Sequence, residues 1–223
     1  MNTRQVHMLP RTPAAHSTSL QASIPPDYLR CAVPAHMGGL GGSPEELGLL
    51  MRALCEKSLS AGVLFWCQRT AVEFLVQSFN AAVREHLLPE LLRFQRAAST
   101  PLSLDASVLL VAQGEGRGMR LRGVIHSIAN AHADGFTLVV PVQMQSAMGW
   151  AVLQSEEDGV HIEPGNLLPH LKETCPARVR VDDAFFRADE WLGDSLLLHK
   201  TEPVRLALGV LYQSLIAAPE MAL

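Results

Sequence analysis

The chain has 223 residues, 48% of them apolar and 18% charged, with a formal net charge of −4. That composition suits a globular protein with a sizeable buried core and argues against disorder. The slightly acidic balance gives no electrostatic footing for nucleic acid, and no apolar run reaches the roughly 20 residues that span a bilayer. The four cysteines, Cys31, Cys55, Cys67 and Cys175, form no Cys-x-x-Cys pair, so a reducing, cytoplasmic compartment is expected.

In chain order, residues 1–24 read as a flexible leader: basic and Ser-containing, without the apolar stretch of a secretory signal. Tyr28 to Val33 predicts a short helix closed by Pro34. The run Gly38-Gly39-Leu40-Gly41-Gly42 then leads into Ser43-Pro44-Glu45-Glu46, a capping box with proline at the first helical position. Leu47, Leu50, Met51 and Leu54 follow at helical spacing. Ala61 to Phe79 predicts a helix with little polar surface, at the centre of a bundle. Ala81 to Leu87 predicts a third helix, and Pro89 starts another that fades near Ala98.

Thr100-Pro101 marks a boundary, after which strands take over. Ser107 to Ala112, Met119 to Ile128, Phe136 to Val142, Met148 to Gln154, Val160 to Ile162 and Arg178 to Val181 carry the apolar, β-branched or alternating patterns of strands. Turn residues separate them, notably Asn130 to Gly135 and Glu157-Asp158-Gly159. Pro203 to Ala217 predicts a final helix with Thr201 as its cap. The fold expected is α+β: an N-terminal α-helical bundle, then a small antiparallel β-barrel or sandwich domain, then one C-terminal helix. The divisions expected are a helical domain over 25–99, a β-domain over 100–194 and a remnant of a further helical domain over 195–223.

Several of these segments resemble the acyl-CoA dehydrogenase family. Gly123, Ile128, Asn130, Ala133 and Asp134 fit its middle-domain strand, Gly-(Arg/Gln)-Lys-x-(Trp/Phe)-Ile-(Thr/Ser)-Asn, and the Ala-Asp turn beyond it. Val33-Pro34 with Gly38-Gly39-Leu40-Gly41 is similar to the family's Val-Pro-x-x-x-Gly-Gly-Leu-Gly turn, and Leu87-Leu88-Pro89 to its Leu-Leu-Pro. Val179 to Phe185, with Leu192-Gly193, resembles the family's exit from the β-domain. The resemblance implies FAD, held between the β-domain and a C-terminal helical bundle that is truncated here. It implies flavin-dependent oxidation of the CH–CH group of an acyl thioester, with a carboxylate as base.

Carried over residue by residue, the flavin-contact strand falls on Ser127, Ile128 and Ala129, the candidate cofactor-binding residues. The family's Thr-Glu-Pro-x-x-Gly-Ser-Asp loop has no counterpart; Ser99-Thr100-Pro101-Leu102-Ser103 stands in its place. Neither Glu202 nor Glu220 occupies the position of the family base, so no catalytic residue is assigned. The chain is expected to need a homo-oligomer or a partner subunit supplying the missing helices. The rival reading is a non-catalytic assembly or ligand-binding module that keeps the fold without flavin.

Other features read as structural. The glycine run has neither a preceding strand nor a following Gly-Lys-Ser/Thr, so it is an interhelical turn rather than a phosphate cradle. His126 and His132 lack partners at ligand spacing, and no metal is expected. Trp66, Phe74 and Phe79 read as core, and Cys55 and Cys67 as inert packing. Asp182-Asp183 reads as acids of a strand end. Arg117, Arg120 and Arg122 read as a solvated strand face rather than a coenzyme A phosphate site.

Overall fold

The computed structural model describes residues 20–103, 110–114, 118–144, 147–166 and 169–217. Helix α1 spans Pro26–Arg30, and a 3-10 turn at Ala35–Met37 leads through the glycine run to α2, Pro44–Lys57. The capping box forms as the sequence predicts: the Ser43 hydroxyl accepts from Glu46 N at 3.3 Å and Ser43 N donates to Glu46 Oε2 at 2.9 Å. Leu47, Met51 and Leu54 bury one stripe of this helix.

Helix α3, Leu59–Gln77, is capped by the Ser58 hydroxyl and is buried along nearly its whole length, Ser60 to Val76. Gln68, Arg69 and Glu73, buried within it, find hydrogen-bond partners, whereas Arg69 Nε and Thr70 Oγ1 have none among the described residues. Helix α4, Ala81–Leu92, begins at the Asn80 cap and runs straight through Pro89. Two helices were expected there. One forms because Leu87, Leu88, Leu91 and Leu92 lie on a continuous face that packs against α3 and the sheet, outweighing the N–H that Pro89 lacks. Phe94, at φ 53°, then reverses the chain into strand β1, Ala97–Ser99, where the sequence expects a fading helix.

The other strands are β2 (Leu110–Gln113), β3 (Gly118–Ile128), β4 (Phe136–Met144), β5 (Ala147–Gln154), β6 (Val160–Pro164), β7 (Ala177–Arg187) and β8 (Trp191–Asp194). They form one sheet in the order β6-β7-β3-β2-β4-β5-β8, with β1 added beside β4. Pairings are antiparallel except those of β1 and β2 with β4. The sheet curls over its own core, so Leu138, Val140 and Leu153 share one apolar cluster with Val179, Val181 and Phe186 from β7. Val139, Trp150 and Val152 face the other way and pack with Phe74, Leu75 and Leu91 of the helices. Burial on both faces explains why β4 reads as an unbroken apolar run instead of an alternating one.

Asp183 is not at a strand end. Leu121 pairs with Ala184 and Arg122 with Asp182, leaving Asp183 as the extra residue of a bulge at φ 63°. The C-terminal helix is also divided, into α5 (Leu196–Lys200), α6 (Glu202–Leu208) and α7 (Val210–Ala217). Thr201 does not cap α6; its hydroxyl donates back to Leu198 O at 2.8 Å. The second break follows from a tight turn in which Gly209 N donates to Leu206 O at 3.0 Å. Among the described residues no helix is long and apolar enough to cross a membrane.

Candidate functional site at the end of strand β3

The last residues of β3 leave the sheet where it meets the helices. A register shift against β7 lies between Ile125 and Ile128, so Ile128 enters the sheet core while Ala129 enters the helical cluster with Phe65, Trp66 and Cys67. Asn130 follows at φ 62°, fully buried, a conformation that asparagine tolerates better than most side chains. Its N–H donates to Thr174 O at 2.7 Å, and Ala131 N donates to Cys175 O at 3.1 Å.

One side chain of α3 ties this exit to the rest of the fold. Gln68 donates through Nε2 to Leu91 O and Arg96 O, both at 2.9 Å. Its Oε1 accepts from Ala98 N at 2.7 Å and from Asn130 Nδ2 at 3.0 Å. Asn130 Nδ2 also donates to Ala98 O at 2.9 Å. One amide thereby joins α3, the end of α4, β1 and the end of β3.

The segment after β1 lies along that exit. Leu102 N donates to Ser127 O at 3.1 Å, and Tyr212 of α7 donates its hydroxyl to Leu102 O at 3.3 Å. Tyr212 meets Trp66 edge to face with ring centres 6.1 Å apart. Ser99 and Thr100 are fully buried, and Thr100 Oγ1 has no hydrogen-bond partner among the described residues. Beside them burial pushes the Cys67 thiol up to about 12, although the Ser99 hydroxyl acts in the opposite direction. Cys67 is therefore protonated and inert, as its apolar setting predicts. The junction offers hydroxyls and main-chain groups, and its hydrogen-bond network holds no acid and no imidazole among the described residues. Such a surface has donors and acceptors but no group suited to moving a proton.

Of the three candidate cofactor residues, Ser127 keeps a partly exposed side chain, while Ile128 and Ala129 are fully buried and could meet a ligand only through their main chain. His126 is exposed, and His132 is held by Gln21 with 2.8 Å between Nε2 atoms. Burial lowers the His132 pKa against the opposing charge of Asp134. Among the described residues no group of three His, Cys, Asp or Glu side chains could hold a metal.

The glycine run is a folded turn. Gly38, Gly41 and Gly42 have φ of 85°, 69° and 94°, and a side chain at Gly39 would strike the Val33 carbonyl. Arg122 pairs with Asp183 at 2.7 Å, and Arg120 approaches the same carboxylate while lying over the Phe185 ring. These arginines are committed to the bulge; Arg117 and Glu220 lie outside the described residues. Glu202 is exposed on α6. Trp66 and Phe74 are core, but Phe79 lies past the end of α3 and is 72% exposed.

The sequence reading missed a polar cleft of about 400 Å³ between α4 and the β5–β6 turn, lined by His86, Glu90, Arg96, Gln154, Glu156 and Glu157. Arg96 pairs with Glu156 at 2.7 Å. Glu157 accepts from Gln154 N at 2.7 Å through one oxygen, while the other is buried without a partner. Burial, with Glu190 and Glu156 adding repulsion, raises the Glu157 pKa to about 7. Because this folded value lies above the unfolded one, stability from Glu157 is present at low pH and is lost as pH rises from about 4.5 towards 7. His132, whose pKa is lowered, contributes the opposite trend. The comparison with Glu157→Gln therefore isolates the effect. Between pH 5 and pH 8, urea melts of the native chain should lose about 1–2 kcal/mol relative to the variant, a value reduced for partial exposure; parallel curves would show that Glu157 is not the titrating group.

A curled, mostly antiparallel sheet behind a buried central helix, with β3 delivering its end to the helices, defines an acyl-CoA dehydrogenase-like fold. Comparison with solved structures gives the same answer. An acyl-CoA dehydrogenase from Bacillus anthracis complexed with FAD matches with a TM-score of 0.72 at 17% identity, over 89% of this chain and 36% of that one. PigA with FAD and proline matches with a TM-score of 0.74 at 15% identity, over 89% and 56%. Butyryl-CoA dehydrogenase from Megasphaera elsdenii matches with a TM-score of 0.72 at 12% identity, again over 89% and 56%. The chain thus spans between about a third and just over half of these proteins' lengths. No family model matches the chain, and no curated protein does.

Proposed function

We propose that this chain is an acyl-CoA dehydrogenase-like flavoprotein component, contributing to FAD-dependent oxidation of the CH–CH group of an acyl thioester. The observation that carries the reading is the junction of residues 99–103 with the end of β3, fastened by the Leu102–Ser127 hydrogen bond within a fold whose neighbours include FAD complexes. The residues fit part of a flavin contact. Thr100 has a buried hydroxyl in want of a partner, and Ser127 presents a partly exposed one. Ile128 and Ala129 would contribute main-chain groups and the rigid backing behind them. When bound, the flavin supplies the two-electron acceptor that amino-acid side chains lack. The chain's own part is to position and to exclude water, and the base is left to a further helical segment, from a second copy or a partner subunit. The division into 25–99, 100–194 and 195–223, and a cytoplasmic location, belong to the same proposal.

Purified protein is expected to be yellow, or to gain thermal stability when FAD is added. A free concentration a hundredfold above Kd corresponds to about 2.7 kcal/mol of stabilisation. Thr100→Val together with Ser127→Ala should weaken that shift while leaving the melt without FAD nearly unchanged. Protein that is colourless and whose melting ignores FAD would overturn the reading in favour of a non-catalytic module.

A further inference from the structure

Among the described residues, every arginine that is at least partly buried has a partner except one. Arg30 pairs with Asp27, Arg69 with Glu73, Arg96 with Glu156 and Arg180 with Glu163, while Arg84 donates to the Ser78 carbonyl at 2.9 Å. Arg205 of α6 is also partly buried, yet its side chain forms no hydrogen bond and no ion pair among the described residues. Burial lowers its pKa; Tyr212 and Glu202 oppose that shift, but Glu202 is exposed and does not close an ion pair with it. A guanidinium has five N–H donors and almost never gives up its charge. Drawn out of water without an acceptor it is a standing cost, and it points to an anion that is not part of the chain.

Its position is informative. About two helical turns further on, past the tight turn at Gly209, stands Tyr212. This tyrosine is half exposed, its ring meets Trp66 edge to face, and its hydroxyl reaches Leu102 O only at 3.3 Å. Burial raises the Tyr212 pKa, Cys67 adds to the rise and the Arg205 charge opposes it, so the guanidinium acts on that hydroxyl. Leu102 in turn is fixed by its N–H to the end of β3, and the unpartnered Thr100 hydroxyl lies just before it. Arg205 and Tyr212 thus connect α6 to the junction from its helical side.

We propose that Arg205 and Tyr212 form an oxyanion subsite at the edge of the junction, for a carboxylate or phosphate group. The guanidinium offers a planar fork that takes two oxygens at once. The Tyr212 hydroxyl exchanges its long bond to Leu102 O for a charged acceptor. A flavin phosphate and the acid group of an acyl substrate share this chemistry. The subsite goes beyond the flavin reading, because Arg205 lacks a partner whichever of the two it takes.

Isothermal titration of the full chain with inorganic pyrophosphate and, separately, with glutarate is expected to detect binding. Pyrophosphate alone assigns the subsite to a phosphate, and glutarate alone assigns it to a carboxylate. Arg205→Met should raise the dissociation constant about tenfold or more, and Arg205→Lys less, since it keeps the charge without the fork. Tyr212→Phe, which leaves the ring against Trp66, should raise it about threefold. Having no partner to lose, Arg205→Met should melt at or above the native temperature. Binding of neither anion, or binding that Arg205→Met leaves unchanged, would overturn the proposal. So would a marked loss of stability in that variant, which would reveal a partner inside the chain. FAD titrated into the same chains separates the two readings. Binding of FAD without either anion sinks the subsite alone, and binding of an anion without FAD sinks the flavin reading alone.

Discussion

Arg69→Met is expected to destabilise the protein by about 3–5 kcal/mol, because it strands the Glu73 carboxylate in the interior. The pair lies at the middle of α3, with 3.0 Å between Nη1 and Oε2 and side-chain exposures of 0% and 3%. Arg69 also reaches across to the carbonyls of Cys31 and Ala32 at 3.3 and 3.4 Å, which holds the left-handed turn at Ala32 (φ 58°) before the glycine run. Burial lowers the Arg69 pKa while the neighbouring Glu73 charge opposes the shift. The double variant Arg69→Met, Glu73→Leu should recover much of the loss, since two apolar side chains leave no uncompensated charge. Urea denaturation of the four chains forms a cycle. A double variant no more stable than Arg69→Met would show that the bonds to Cys31 and Ala32, not the ion pair, dominate.

Gln68→Leu should cost a comparable amount, about 4 kcal/mol. The replacement fills nearly the same volume and so leaves little cavity, but it takes a bond from the Leu91 carbonyl, which keeps the Phe94 N–H, and it strips the Gln68 partner from the Arg96 carbonyl, the Ala98 amide and half of the Asn130 amide group. Each buried polar group left without a partner costs about 1–3 kcal/mol, and local relaxation recovers part of the sum. Beyond stability, the loss should reach the proposed ligand surface, since Ala98 and Asn130 are what align residues 99–103 with the end of β3. Hydrogen exchange at the Leu102 amide is the direct check. Rapid exchange in the variant is expected, and unchanged protection there would mean that the junction is held by packing alone.

Much of the scaffold is legible in the residues. The Ser43 box, the apolar stripe behind it, the turn at Asn130–Gly135 and most strand positions are local or periodic signals, and they form where expected. Misreadings cluster where a distant contact outweighs a local preference. Pro89 should open a helix, yet the packing of Leu87, Leu88, Leu91 and Leu92 carries α4 through it. Residues up to Ala98 have helical preferences, but Gln68 on another helix captures the backbone and β4 pairs with it. Asp182-Asp183 has the composition of a turn and becomes a bulge because Arg122 and Arg120 lie on the adjacent strand.

The candidate site follows the same division. Ser127, Ile128 and Ala129 could be singled out because a short pattern resembles a known one, but their burial depends on a register shift that no short pattern encodes. Gln68, Arg69 and Glu73 lie within a stretch that reads only as a helix with little polar surface, and Glu157 reads only as a turn residue. Periodicity, capping chemistry and turn residues determined by themselves that a helical half precedes a sheet, and where most of its elements lie, because those preferences act over a few neighbouring residues. Which polar side chains are buried together, which faces of β4 are covered, and that residues 99–103 meet the end of β3 were decided only in the tertiary structure. Desolvation and hydrogen-bond pairing depend on atoms that are distant along the chain and adjacent only after folding.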